Sequence, residues 1–207
     1  MTIKKQTLIL IIIVILCALM LTFCLTDSIQ DSISSQLIRL HIPANSDSER
    51  DQKIKLAVRD AVCTLLDEKL VDTQNIDDAE RIISDSITEI ERITDSVLQD
   101  NNAGYSADVM LCREYFDTRV YDTFTLPAGR YNALKITLGS GNGHNWWCVA
   151  FPPICSAITH GEDISELYFT GEELSVIEND GENIEFRFKL FEITSRIKEF
   201  FNNILEE

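Results

Sequence analysis

Few of the residues that announce an enzyme occur in these 207 positions. Histidine appears only at His41, His144 and His160, with no pair at H-x-H or H-E-x-x-H spacing. No metal site is legible from local spacing, which leaves open only one assembled from distant residues. There is no D-T-G, D-S-G or G-x-S-x-G, so the chain carries neither those aspartyl triplets nor a nucleophile elbow. Ser195-Arg196-Ile197-Lys198 matches S-x-x-K, but the companion motifs of that chemistry are missing and an amphipathic helix yields the spacing by chance. Positive charge is short as well: 18 Lys and Arg stand against 34 Asp and Glu, a net charge of −16. Such a surface repels phosphate backbones and anionic headgroups, so no nucleic acid is expected as a partner. It suits a cationic partner, and equally plain solubility. Glycine is sparse and concentrated, with Gly139, Gly141 and Gly143 spaced two apart in one loop. A strand pattern follows them where a phosphate cradle needs a helix N-terminus. Their expected use is positive φ between two strands.

What is present begins with an uncharged run at residues 8–25, preceded by Lys4 and Lys5 and followed by Asp27 and Asp31. As a helix it measures about 27 Å, close to the hydrocarbon thickness of roughly 30 Å. The flanking charges place the N-terminus in the cytoplasm and the rest outside. No A-x-A pattern lies near Phe23-Cys24-Leu25-Thr26, so the run reads as a retained anchor. Leu21-Thr22-Phe23-Cys24 has the outline of a lipoprotein box with a bulky Phe23 where a small residue is required. Two of the six cysteines, Cys17 and Cys24, belong to this run. Of the four outside, Cys63, Cys112, Cys148 and Cys155, the last two are the candidate disulfide in an oxidising compartment, with two buried thiols as the rival reading. A thiol nucleophile at Cys148 paired with His144 is disfavoured, because strand residues four apart lie about 13 Å from each other.

The division read from the sequence is an anchor at 1–26 and one domain at 27–207, large enough for its own core. Residues 37–42 read as a strand ended by Pro43. Ser46 and Glu49 form a capping box that starts a helix at Asp47, with Ile54, Ala57, Val58, Ala61, Val62 and Leu65 on one face and Leu56, Cys63 and Leu70 opposite. A second helix is expected over 76–98, capped by Asn75. Period-two patterns then mark strands at 105–112, 115–124, 131–138 and 146–151, the last two as a hairpin closed by the glycine loop. Residues 156–183 read as a mobile insert, Ile184, Phe186, Phe188 and Leu190 as a further strand, and Ile193, Ile197, Phe200, Phe201, Ile204 and Leu205 as one face of a terminal helix expected to dock on the sheet, with a membrane or a partner as the alternative. Helices and strands segregate along the chain, so the fold class is α+β: two N-terminal helices on a mostly antiparallel sheet, with a C-terminal amphipathic helix.

Two stretches carry more than composition. One is Ile38-Arg39-Leu40-His41-Ile42-Pro43-Ala44-Asn45-Ser46-Asp47-Ser48, continuing through Asp51-Gln52-Lys53 and Val58-Arg59-Asp60-Ala61-Val62. The other runs from Pro127-Ala128-Gly129-Arg130-Tyr131 to Asn145-Trp146-Trp147-Cys148-Val149-Ala150-Phe151-Pro152-Pro153-Ile154-Cys155. Together they resemble the stage II sporulation protein R family of endospore-forming bacteria. The resemblance implies an intercompartmental signal made in the forespore and exported to the space between two membranes. There it would trigger a polytopic membrane aspartic protease of the mother cell that cleaves the precursor of sigma-E. It implies an activator, not a catalyst, with no cofactor and no small-molecule substrate. An acidic surface meeting a basic loop of the protease would be weakened by salt. The candidate partner-binding residues are Trp146, Trp147, Asn145, Asn45, Asp47 and Arg39. Trp146 and Trp147 point to opposite faces of a strand, one expected inward and the other exposed as an anchor, unless both are buried. Asn45 and Asp47 sit where helix capping explains them as well as recognition does. The rival readings are a cell-wall or peptide hydrolase using Cys148 or a metal, and a structural envelope protein.

Overall fold

The computed structural model describes residues 2–121, 124–153, 169, 171–177 and 184–205. The apolar run lies in a helix, α1 (Thr2–Ser34), long and apolar enough to cross a membrane by length and composition. It does not stop at the end of that run. Thr26, Gln30, Ile33 and Ser34 recur at helical spacing and are buried against the domain, so the polar stretch that follows the run is the docked end of α1. Gln30 lies so close to Gly129 that a Cβ there would meet Gln30 Nε2 at 2.0 Å.

The domain is built on a four-stranded sheet in the order β2-β5-β1-β6, where β1 is Ile38–Pro43, β2 Ala107–Phe116, β5 Gly129–Leu138 and β6 Asn145–Phe151. β1 pairs parallel to β5 and antiparallel to β6, and β2 pairs antiparallel to β5 over ten residues. This corrects the expected hairpin: β5 and β6 do not pair, because β1 lies between them and the glycine loop steps across it. Every residue of β1 is buried, as befits a central strand covered on both faces. The strands expected at 105–112 and 115–124 are also redrawn. One strand runs on to Phe116, and a two-residue strand β3 (Arg119–Val120) then pairs with β4 (Thr125–Leu126).

On one face lie α2 (Glu49–Leu70), α3 (Ile76–Asp85) and α4 (Ile87–Asp100). The cap of α2 is Ser48, whose side chain accepts from Asp51 N, and not Ser46. Asn75 caps α3 as expected, but the second helix breaks at Ser86, whose N–H reaches back to Ile82, Ile83 and Ser84 carbonyls. Ile38, Leu40 and Ile42 pack there against Ile54, Val58, Val62, Leu66 and Leu70 of α2 and Ile83 and Ile90 beyond it. Each such fully buried side chain contributes about 1.5–3 kcal/mol. Sandwiching between the sheet and the α3–α4 pair explains why Cys63 and Leu70 are buried as well as the first face of α2, while Leu56 of the expected second stripe stays exposed.

The opposite face holds a second core of Leu37, Phe116, Phe124, Leu126, Tyr131 and Val149, closed by Ile33 of α1 and by Phe169 and Ile177. Ile177 ends a short helix, α5 (Gly171–Ile177), so part of the segment expected as an insert is structured; the remainder lies outside the described residues. The strand expected around residues 184–190 is replaced by α6 (Ile184–Leu205). Buried Phe188, Phe191 and Ser195 repeat at helical, not alternating, spacing. The face that docks is therefore not the stripe Ile193, Ile197, Phe200, Phe201 and Ile204, which is exposed. The α+β class, with helices on a mostly antiparallel sheet and a terminal helix, is what the chain adopts.

Candidate partner-binding face

At one end of the sheet the loop after β1 and the glycine loop before β6 are sewn together. Asn45 accepts through Oδ1 from Ser140 N at 3.0 Å, and its carbonyl accepts from Ser140 Oγ at 2.8 Å. Gly143 N donates to Ala44 O at 2.8 Å. His144 N donates to Asp47 Oδ1 at 2.6 Å, while Lys55 Nζ from α2 donates to His144 O at 2.9 Å. Gly139 and Gly141 have φ of +56° and +64°, the left-handed conformations expected of this loop.

Asp51 is the hub beneath this seam. Its carboxylate accepts from Ser46 Oγ at 2.5 Å, Asn45 Nδ2 at 2.8 Å and Tyr105 OH at 2.9 Å. The Ser46 hydroxyl does most to hold the Asp51 carboxyl below its usual range; burial opposes it, and Asn45, Tyr105 and Ser48 add to the lowering. Burial, then the bond to Asp51, pushes the Tyr105 phenol up to about 12. A carboxylate with a depressed folded-state pKa stabilises the fold above its ordinary pKa, near 3.9, and loses that contribution as pH falls through the depressed value. Asp51→Asn places an amide donor among donors and is expected to lower the urea midpoint at pH 7, at a cost of about 2–3 kcal/mol. The gap from the unsubstituted chain should shrink in titrations run below pH ~4; a pH-independent gap would sink this account.

The two tryptophans do point to opposite faces, and each is half-buried under an arginine. Arg59 of α2 lies 4.3 Å from the Trp146 ring centroid on the helix side. Arg119 lies 4.7 Å from the Trp147 centroid on the other. Trp147 also stacks on His41, with centroids 3.7 Å apart. His41 Nδ1 meets Glu114 Oε1 at 2.6 Å, and Lys135 Nζ donates to Glu114 Oε2 at 2.8 Å. Burial pushes the Glu114 carboxyl up, but the bonds with His41 and Lys135 outweigh it and the net is downward.

Arg39 has no exposed surface. Its guanidinium donates from Nη2 to Tyr121 OH at 2.9 Å and from Nε to Cys148 O at 3.4 Å, and lies over Phe116 and Tyr131 at 4.4 and 5.1 Å. It serves the second core in this conformation. Of the remaining candidates, Asp47 and Asn145 are exposed, Asn45 is half-buried in the seam, and the exposed His144, which pairs with Asp47 at 2.5 Å, joins them. The Cys148 residue is buried within the helix-side core, out of reach of a substrate. The proposed partner of its disulfide, Cys155, lies outside the described residues. Among the described residues, no three His, Cys, Asp or Glu come together to hold a metal ion.

A family model described as stage II sporulation protein R matches residues 34–160, which contain both sides of the seam. The chain belongs to the stage II sporulation protein R family. It is 41% identical over 135 residues to stage II sporulation protein R of Bacillus subtilis (strain 168), a match spanning 65% of this chain and 60% of that relative. No solved structure matches. Within this family member, the matched stretch starts at the last residue of α1 and stops before α5, so the apolar run and α6 lie outside it. The seam, the Trp–Arg stacks and the buried Arg39 all lie within it.

Proposed function

We propose that this member of the stage II sporulation protein R family acts outside the forespore membrane, held there by α1, as the signal that switches on the mother-cell membrane aspartic protease responsible for cleaving the sigma-E precursor. The observation that carries the reading is that the two sequence blocks of the family resemblance meet in space as one rigid end of the sheet. Its rim, Asp47, His144 and Asn145, is exposed, and Trp146 and Trp147 flank it on either face. A preorganised rim of this kind suits recognition, because little conformational freedom remains to be lost on binding. A hydrolase working through Cys148 fits less well with a side chain buried in the core.

The test is reconstitution in a non-sporulating host that expresses the full chain, the protease and the precursor. Cleavage is expected only when this chain and the catalytic aspartate of the protease are both present. His144→Ala and Asn145→Ala alter exposed side chains, so loss of cleavage with an unchanged unfolding midpoint would locate the contact on the rim. Absence of cleavage with exported, folded chain would reject direct activation. Full activity in both rim variants would move the contact elsewhere.

A further inference from the structure

The C-terminal helix presents an apolar stripe that is exposed along its length. At 100° per residue, Ile193, Ile197, Phe200, Phe201 and Ile204 fall within an arc of about 100°, and the docked Phe188, Phe191 and Ser195 lie on the other side. All five stripe residues are exposed, Phe200 by 63% and Phe201 by 57%. The contacts of α6 fix where the stripe sits. Ser195 Oγ donates to Ala128 O, next to the Gly129 that Gln30 of α1 closes over. One turn later, Lys198 Nζ bonds Asp27 at 2.7 Å and Asp31 at 3.1 Å. Asp27 stands two residues beyond the end of the apolar run at Leu25, so the bond from Lys198 sets this turn of α6 beside the border of that run. Phe200, Phe201 and Ile204 follow within about 3–9 Å of Lys198 along the helix axis. Among residues 6–25, Phe23 is the one whose surface is partly covered, consistent with α6 reaching that level.

We infer that the end of α6 is a second membrane contact: its apolar stripe lies in the bilayer interface beside α1. The occupant of the stripe is lipid, because Lys198 ties this part of α6 to Asp27 at the border of the apolar run, whose last residues are as exposed as the stripe, Leu21 by 62% and Leu25 by 56%. An acidic chain with few lysines makes α6 a poor lipid binder in isolation. Tethering by α1 removes that objection, since the contact becomes intramolecular and needs little affinity of its own. The Lys198 bridges to Asp27 and Asp31 then act as the clasp that sets the depth of the stripe.

This rests on α1 spanning the membrane and is independent of protease activation. The experiment places a benzophenone amino acid at Phe201, at Lys189 on the exposed far end of α6, or at Ile12 within the apolar run. The full chain is reconstituted into phosphatidylglycerol and phosphatidylcholine nanodiscs and irradiated. Expected are lipid adducts at Ile12 and Phe201, with the yield at Lys189 several-fold lower. Adducts at Ile12 alone would overturn the inference, as would Phe201 crosslinking to a second copy of the chain in place of lipid. No lipid adduct at Ile12 would overturn the spanning reading together with it.

Discussion

Gly143→Ala is expected to lower the unfolding free energy by about 3 kcal/mol, which combines backbone overpacking with disturbance of the seam's hydrogen bonds. A Cβ at this position would stand 2.4 Å from Ser46 O and 2.5 Å from Ser46 C. Those are backbone atoms, in a loop already held by the Asp51 and Gln52 side chains, so neither side can yield cheaply. Moving Gly143 away also pulls its N–H from Ala44 O and draws His144 off Asp47. Gly104→Ala is the control, because nothing lies within 4 Å of its added Cβ; it should stay within about 0.5 kcal/mol of the parent. Urea titration of the full chain in micelles, followed by Trp146 and Trp147 fluorescence, reads both. Equal midpoints for the two variants would show that the seam relaxes freely.

Arg39→Ala should cost about 3–5 kcal/mol, since it empties a site that the second core cannot refill and removes the bond to the Tyr121 hydroxyl. Arg39→Met should cost under about 1.5 kcal/mol. It keeps most of the volume, and exchange of a buried charge for a similar-sized apolar side chain is often neutral. No described carboxylate pairs with this guanidinium, which strengthens the expectation for Met. If Met proves as damaging as Ala in urea titrations, the bonds to Tyr121 and Cys148 O and the rings of Phe116 and Tyr131 outweigh volume. If Arg39→Met folds yet fails in the cleavage reconstitution, the charge itself matters to signalling.

Much of this was legible in the sequence where the signal is local. The strands of β1, β5 and β6 follow their β-branched and aromatic runs, and the Asn75 cap and positive φ in the glycine loop follow from residue chemistry. Strand order was not, because placing β1 between β5 and β6 depends on pairings about a hundred residues apart in sequence. Ser46 resembled a cap, but its hydroxyl is taken by Asp51, so the start of α2 passed to Ser48. Phe186, Phe188 and Leu190 alternate for too few residues to outweigh the helical spacing of Phe188, Phe191 and Ser195. At the candidate site, Trp146, Trp147, Asp47 and Asn145 could be singled out. Their companions Arg59, Arg119, Glu114, Lys135 and Ser140 could not, since each meets its partner only through the folded sheet. Arg39 stood out as a charge in an apolar strand, and that oddity reflects burial.

For a chain acting as the proposed signal, the unbroken course of α1 into the domain governs how that signal can be delivered. A flexible connector over residues 26–36 would let the domain wander by roughly 20 Å and turn any side toward a partner. A helix buried to Ser34 acts as a stiff mast. From Leu25 to Ser34 it rises only about 14 Å, and a domain of this size has a radius of gyration near 16 Å. With α1 spanning a membrane, as proposed, the seam would be carried at a fixed height and heading, and two facing membranes would have to come within a few nanometres before the rim could touch anything on the other side. Proximity of the membranes would then be read by the length of the mast, and severing α1 near Leu25 would turn a contact signal into a diffusing one.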